Sequence, residues 1–271
     1  MAGQLQGERR SPKRGQSVEF ADFRLYARGD DFRRIDWNAY ARLERLFIKL
    51  FVEEEDLTVH LLVDTSRSMD WGQPNKLWYA VRAAGALGYV ALVGLDRVTV
   101  TAFGEDANDS AGYFPPRRGK AQAQALFSFL QTLTARGRTD LAGRLRSYAA
   151  LAAQPGPLLL FSDLLDESWA EGLRALARRG FEVTVMHILA PDEVDPQLTG
   201  DLKLRDVETG ADIEITADYE LLSRYRAGLA AWQAELRRFC GARGMHYVPV
   251  ETTIPFEELL FAWLRQRGVL K

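Results

Sequence analysis

Three oxygen-bearing side chains, Asp64, Ser66 and Ser68, stand at alternate positions directly after a short apolar run. The run, Leu57 to Val63, is rich in leucine and valine, which predicts a strand covered on both faces of an α/β sheet. Ligands of such sheets bind at the carboxyl ends of the strands. If the loop curls, its carboxylate and hydroxyl oxygens suit a hard cation such as Mg²⁺. Alternatively, the serines satisfy free backbone groups in the turn before the next helix.

Two more oxygen donors stand at comparable positions later in the chain. Thr139 lies in a polar loop before a helix that we expect to begin near residue 140, where an N-cap role is the alternative. The apolar run Pro157 to Phe161 predicts another buried strand, which leads into Ser162 and Asp163. Because parallel strands end at one edge of a sheet, these separated side chains are able to converge.

The elements around these residues alternate between strand and helix. Lys76 to Val93 is long and rich in alanine and leucine, which predicts a buried crossover helix capped by Asn75. This helix connects the first strand to a second predicted strand at Arg97 to Phe103, and the three elements form a right-handed parallel strand-helix-strand unit. Further predicted elements are helices at 119–133, from about 140, 169–179, 219–242 and 256–266, strands at 181–189 and 246–250, and a hairpin at 201–216. We predict an α/β fold: a doubly wound, mostly parallel sheet flanked by helices, with the hairpin as an insertion.

The sequence divides into three predicted regions. Residues 1–17 form a flexible basic tail. Residues 18–56 form an irregular N-terminal extension, which we expect to pack on the main domain with its aromatic rings buried and to contribute 45–55 as an edge strand. Residues 57–271 form the α/β domain, with 105–119 as an exposed loop. The hairpin at 201–216 has no predicted role.

Composition restricts the function classes. The 271 residues are 47% hydrophobic, and 35 basic against 37 acidic residues give a net charge of -2, which offers no general attraction for nucleic acid. A nucleic-acid adaptor that uses the tail with Arg24, Arg28, Arg33 and Arg34 is therefore a minor alternative. The single cysteine, Cys240, fits a reducing compartment. With no long apolar stretch and no secretion signal, we expect a soluble cytoplasmic protein without a transmembrane segment.

The five oxygen donors together resemble the metal-ion-dependent adhesion site (MIDAS) of von Willebrand factor type A domains. The motif D-x-S-x-S matches residues 64–68, the threonine stands in a G-x-T-D context, and the last aspartate ends a strand. The resemblance implies Mg²⁺ or Mn²⁺ as the cofactor and an open position that an aspartate or glutamate of a partner protein fills. It implies these metal ligands: Asp64, Ser66, Ser68, Thr139 and Asp163.

A second resemblance rests on ARGDDFRRIDWNAYAR, from Ala27 to Arg42. This segment, upstream of the metal motif, is similar to the bacterial family catalogued as domain of unknown function 58. Members of that family often carry transmembrane helices ahead of this segment, but residues 1–16 are polar, and we expect no membrane anchor here. Similar proteins are encoded beside MoxR-type AAA+ ATPases, which implies such an ATPase as a partner.

The competing class is an enzyme. An aspartate at a strand end followed by hydroxyl residues also resembles the phosphohydrolases of the haloacid dehalogenase type, in which the aspartate is a nucleophile. Those enzymes need a second acid two residues on, where this chain has Ser66, and we identify no lysine that would complete such a site. His60, His187 and His246 fall inside predicted strands, where packing or hydrogen bonding is the expected role. We therefore predict a binding domain with no catalytic residues.

Overall fold

The computed structural model describes residues 18–53, 57–104, 112–138, 140–208, 210–255 and 257–258. The chain forms two compact units that divide between Asp56 and Leu57. Three sequence predictions lie outside the described residues: the basic tail at 1–17, Thr139, and the C-terminal helix at 256–266 apart from residues 257 and 258.

The first unit contains an antiparallel pair of strands and a short helix. Strand β1 spans Val18–Leu25 and pairs with β2, Phe47–Glu53, with an irregularity between Phe20 and Asp22. Helix α1 spans Trp37–Leu43 and begins at Asp36, whose carboxylate accepts hydrogen bonds from two backbone amides of the first turn. Helix α1 lies in the connection between the two strands.

One expectation for this segment is wrong. Strand β2 pairs with β1 in a separate two-stranded sheet, whereas the sequence predicts an edge strand of the main sheet. Packing of this extension on the main domain, with its aromatic rings buried there, stays a prediction.

The second unit contains the predicted α/β sheet. Its strands, with those of a separate hairpin, are β3 Thr58–Asp64, β4 Arg97–Phe103, β5 Tyr113–Arg118, β6 Pro157–Ser162, β7 Glu182–Leu189, β8 Gly200–Arg205, β9 Asp212–Ala217 and β10 His246–Glu251. The main sheet has the order β10-β7-β6-β3-β4-β5, and only β5 is antiparallel to its neighbour. Strand β3 is central, as predicted, and β8 pairs with β9 as the predicted hairpin.

Helices cover both faces of the sheet. They are α2 Lys76–Val93, α3 Ala123–Gln131, α4 Leu141–Leu151, α5 Trp169–Arg179, α6 Pro191–Val194 and α7 Tyr219–Gly241. Alternate residues of β3 enter different cores: Leu61 packs with α2 and α3, and Leu62 packs with α4 and α5. Within the part of the chain that the structure describes, no helix has the length and apolarity required to cross a bilayer.

Four strands and helices were not predicted. Strand β1 and helix α1 lie in a segment that we expected to be irregular. Strand β5 lies in a segment that we expected to be a loop, because Pro115 and Pro116 argue against a strand. Strand β5 is at the edge of the sheet and pairs on one side only. Its prolines lack an amide donor, but no further strand depends on that donor for a hydrogen bond. The four-residue helix α6 is too short to produce a periodic pattern.

Candidate metal centre

The loop after β3 is held by backbone hydrogen bonds to two neighbouring segments. The amide of Thr65 donates to the carbonyl of Phe103 at the end of β4, at 2.9 Å. The amide of Arg67 donates to the carbonyl of Gly137, at 3.0 Å. The second bond ties this loop to the chain two residues before Thr139, which itself lies outside the described residues. The local backbone therefore fixes the positions of Ser66 and Ser68.

Four of the five predicted ligands line one cavity. Asp64, Ser66, Ser68 and Asp163 share it with Ser162 and Glu208, and all four predicted ligands are at most 7% exposed. The free volume of the cavity is about 20 Å³, which is room for one water molecule or one ion. The structure thus brings together residues from β3, its following loop and the end of β6, as we expected from the strand ends.

Hydrogen bonds connect the donors at the cavity. The Asp64 carboxylate accepts from the Ser66 amide at 2.9 Å and from the Ser162 hydroxyl at 2.6 Å. The hydroxyl oxygens of Ser66 and Ser68 are 3.0 Å apart. Ser66 precedes a 3-10 turn at Arg67–Met69, but its side chain makes no capping hydrogen bond. The alternative capping role is therefore not seen for Ser66.

Negative charge is concentrated at the cavity. Burial raises the pKa of Asp64 to about 7, with repulsion from Asp163 adding to the effect and hydrogen bonds from Ser162 and Ser66 opposing it. The hydrogen bonds therefore do not fully offset the cost of holding a second negative charge beside Asp163. A bound cation would supply the missing compensation.

One cation of the chain does reach the cavity wall, and we did not predict it. The Nζ atom of Lys76 is 2.8 Å from Asp163 Oδ2 and 2.5 Å from Glu193 Oε1, and the lysine side chain is fully buried. Burial by itself lowers the pKa of Lys76, but the charges and hydrogen bonds of Asp163 and Glu193 outweigh that cost and raise it. No sequence motif indicated this lysine, and only the fold brings it to Asp163.

Glu193 reaches Lys76 because two loops pack tightly. A Cβ atom placed on Gly72 would lie within 3.0 Å of the Ala190 Cβ atom, so only glycine permits this approach. The Ala190 amide donates to Glu193 Oε2 at 2.8 Å, which fixes the glutamate at the start of α6. The sequence signal was Pro191 followed two residues later by Glu193, a helix-start pattern in which the acid orients the first turn.

The hairpin supplies a further unpredicted residue. Glu208, in the turn between β8 and β9, lines the same cavity as Ser68 and Asp163. Nothing in the sequence of the hairpin indicates this contact, because it depends on where the hairpin folds back.

The buried histidines have hydrogen-bonding roles, as expected. His60 Nδ1 lies 2.6 Å from the Tyr148 hydroxyl, and His187 Nδ1 lies 2.7 Å from the Tyr247 hydroxyl. Burial lowers the pKa of His60 and His187 to about 4, so both rings are neutral at pH 7. His246 is exposed at the start of β10.

The donor set fits a hard divalent cation. Every side-chain donor that faces the cavity is an oxygen, and Mg²⁺ prefers oxygen ligands. Among the described residues, no three His, Cys, Asp or Glu side chains are placed to share one ion, so such a site depends on the serine hydroxyls. With the carboxylates ionised, the cavity is net negative, because the carboxylates of Asp64, Asp163, Asp166 and Glu208 line it. Lys76 offsets only part of this charge through its ion pair with Asp163.

The fold and the cavity define an α/β domain with an oxygen-lined pocket at the strand ends. The chain belongs to the family described as protein of unknown function DUF58, whose model matches residues 22–235. It is 30% identical over 277 residues to the uncharacterized protein Rv1480 of Mycobacterium tuberculosis, with 99% of this chain and 86% of that protein covered.

The chain is also similar to solved structures at low identity. The conserved hypothetical protein BatB from Bacteroides thetaiotaomicron is 17% identical, with 79% of this chain and 100% of that chain covered and a TM-score of 0.46. The manganese-loaded TRAP protein of Plasmodium vivax is 14% identical, with 79% and 73% covered and a TM-score of 0.39.

Proposed function

We propose that this protein is a cation-dependent protein-binding domain, with Asp64, Ser66, Ser68, Thr139 and Asp163 as the residues that hold Mg²⁺ or Mn²⁺. The observation that carries the proposal is the pairing of Asp64 with Asp163 around a cavity the size of one ion. Asp64 is almost fully buried, and its pKa is raised by burial and by that neighbour. A divalent cation at this position removes the repulsion.

The serines make the proposed site suitable for binding a partner. Hydroxyl oxygens are neutral donors, so Ser66 and Ser68 add ligands without adding negative charge. Lys76 further reduces the charge at Asp163 through the 2.8 Å ion pair. A divalent cation bound here would retain affinity for one more carboxylate, which an aspartate or glutamate of a partner protein would supply.

The first partner to test is a MoxR-type AAA+ ATPase. The family resemblance supports this choice, since similar proteins are encoded beside such ATPases. We expect the purified ATPase to bind this protein in millimolar Mg²⁺ and to dissociate in chelator. We expect Asp64→Ala to remove that binding while Asp201→Ala, an exposed aspartate of the hairpin strand β8, leaves it unchanged. An Asp64→Ala protein that still bound the ATPase in a Mg²⁺-dependent manner would refute the proposed docking mode.

A phosphohydrolase of the haloacid dehalogenase type is the second candidate, since Lys76 beside Asp163 supplies the lysine that the sequence did not reveal. These enzymes need a second acid two residues after the aspartate, where this chain has Ser66, which argues for the binding role. If the wild-type protein hydrolyses a generic phosphoester and Asp64→Asn abolishes that activity, the hydrolase becomes the favoured function.

A further inference from the structure

The hairpin β8–β9 places a carboxylate at the opening of the proposed cation site. In the turn, the Glu208 amide donates to Asp206 Oδ1 at 2.8 Å and the Gly210 amide donates to the Asp206 carbonyl at 2.9 Å. The Glu208 side chain lines the cavity that contains Asp64 and Asp163. The hairpin is therefore positioned to act on the site.

Glu208 lines the cavity beside Ser68 and Asp163. It holds this place although burial and, to a smaller extent, the charge of Asp163 raise its pKa, while the neighbouring hydroxyl and amide of Ser68 lower it. A carboxylate that keeps this place despite burial and a like-charged neighbour resembles the ligand that we propose a partner to offer. Its chemistry is that of an acidic side chain from another protein.

The rest of the hairpin is weakly attached. Nearly all residues of β8 and β9 are exposed, and Leu204 and Ile213 remain 38% and 61% exposed. An isolated two-stranded hairpin is marginally stable, so displacing this one costs little beyond the contacts of Glu208.

We propose that Glu208 is an internal ligand that occupies the acidic-partner position of the cation site, so that a partner's carboxylate binds only by displacing the β8–β9 hairpin. This inference rests on the proposed function. It assigns a role to the hairpin: the hairpin holds the site closed until an acidic partner competes for it.

The test uses the full chain with three proteins: wild type, Glu208→Ala and Glu214→Ala. Glu214 is an exposed glutamate of β9, so its substitution removes the same charge from the same hairpin. The probe is acetyl-glutamate amide in saturating Mg²⁺, followed by nuclear magnetic resonance, with acetyl-glutamine amide as the neutral probe. Hydrogen exchange of residues 200–217 reports displacement of the hairpin.

We expect Glu208→Ala to bind the acidic probe about tenfold more tightly than wild type, because no internal ligand has to be displaced. We expect Glu214→Ala to match wild type, and the acidic probe to accelerate hydrogen exchange of the wild-type hairpin. Equal probe affinities in Glu208→Ala and Glu214→Ala would overturn the inference.

The two proposals fail differently in this experiment. A wild-type protein that binds no Mg²⁺ in a direct titration contradicts the proposed function itself. A wild-type protein that binds Mg²⁺ through Asp64, together with identical behaviour of the two glutamate variants, contradicts only the role of Glu208.

Discussion

The ammonium of Lys76 and the carboxylate of Asp163 form a buried ion pair of 2.8 Å between residues that are 87 positions apart. Lys76 is the first residue of α2, and Asp163 directly follows β6, so the pair joins the crossover helix to the strand ends. Glu193 provides the second carboxylate that contacts the same ammonium.

Removing that lysine should destabilise the protein strongly. Lys76→Met leaves Asp163 buried without its ammonium partner, and loss of one member of a buried pair costs about 3 to 5 kcal/mol. We expect urea unfolding in chelator to give this loss, and Lys203→Met, at a lysine whose side chain is 59% exposed, to cost less than about 1 kcal/mol.

Magnesium should restore part of this stability. Without the lysine, the cavity has one more net negative charge, so Lys76→Met should gain more stability from Mg²⁺ than wild type does. An equal Mg²⁺ effect in the two proteins would mean that the ammonium and the cation site are not coupled.

The close packing at Gly72 gives a second prediction. Gly72 has a φ of +85°, and an added Cβ atom would lie within 3.0 Å of Ala190 Cβ. Gly244 has a φ of +67°, and a Cβ atom added there would meet nothing within 4 Å, so Gly244→Ala measures the backbone cost alone. By urea unfolding, we expect a loss of about 1 kcal/mol for Gly244→Ala and a further ~1 to 3 kcal/mol for Gly72→Ala. Equal losses would show that the 70–75 loop moves away from Ala190 without cost.

His60 gives a prediction about pH. Burial lowers its pKa from the ordinary 6.5 to about 4, so as pH falls below 6.5 the unfolded chain takes up a proton before the folded protein does. The stabilising contribution is therefore complete above pH 6.5 and is lost as pH falls toward 4. Between pH 7.5 and pH 5 the loss is about 2 kcal/mol.

His60→Gln should remove this slope while keeping a polar partner for Tyr148. We expect its free energy of unfolding, measured in chelator, to decline with acid by about 2 kcal/mol less than that of wild type. The slope that His187 contributes remains in both proteins, because burial lowers its pKa in the same direction. Parallel profiles for the two proteins would contradict a neutral buried His60.

The strand ends could be predicted from the sequence because they depend on local pattern. The apolar runs before Asp64 and Asp163 are short and bounded, and the structure ends β3 and β6 within one residue of the expected positions. Helix α2 and its Asn75 cap also follow the prediction, since the cap and the apolar composition are both local signals.

The missing parts of the site depend on tertiary contacts. In the sequence, Lys76 is an ordinary lysine in the first turn of a helix. Only the fold brings Asp163 and Glu193 beside it. Glu208 lies in a hairpin turn, and no periodic pattern in the sequence indicates where that turn is placed. Strand β5 was missed because two prolines disfavour a strand, and its place at the edge of the sheet is decided only by pairing with β4.

Calorimetric titration of Mg²⁺ into wild type, Asp64→Ala and Asp201→Ala at pH 7.5 tests the cation site itself. We expect one Mg²⁺ per wild-type chain, the same binding in Asp201→Ala, and affinity at least about tenfold weaker in Asp64→Ala, where a buried carboxylate ligand is lost. Wild-type protein that takes up no Mg²⁺, or Asp64→Ala that binds it as tightly as wild type, would refute a cation site built on Asp64.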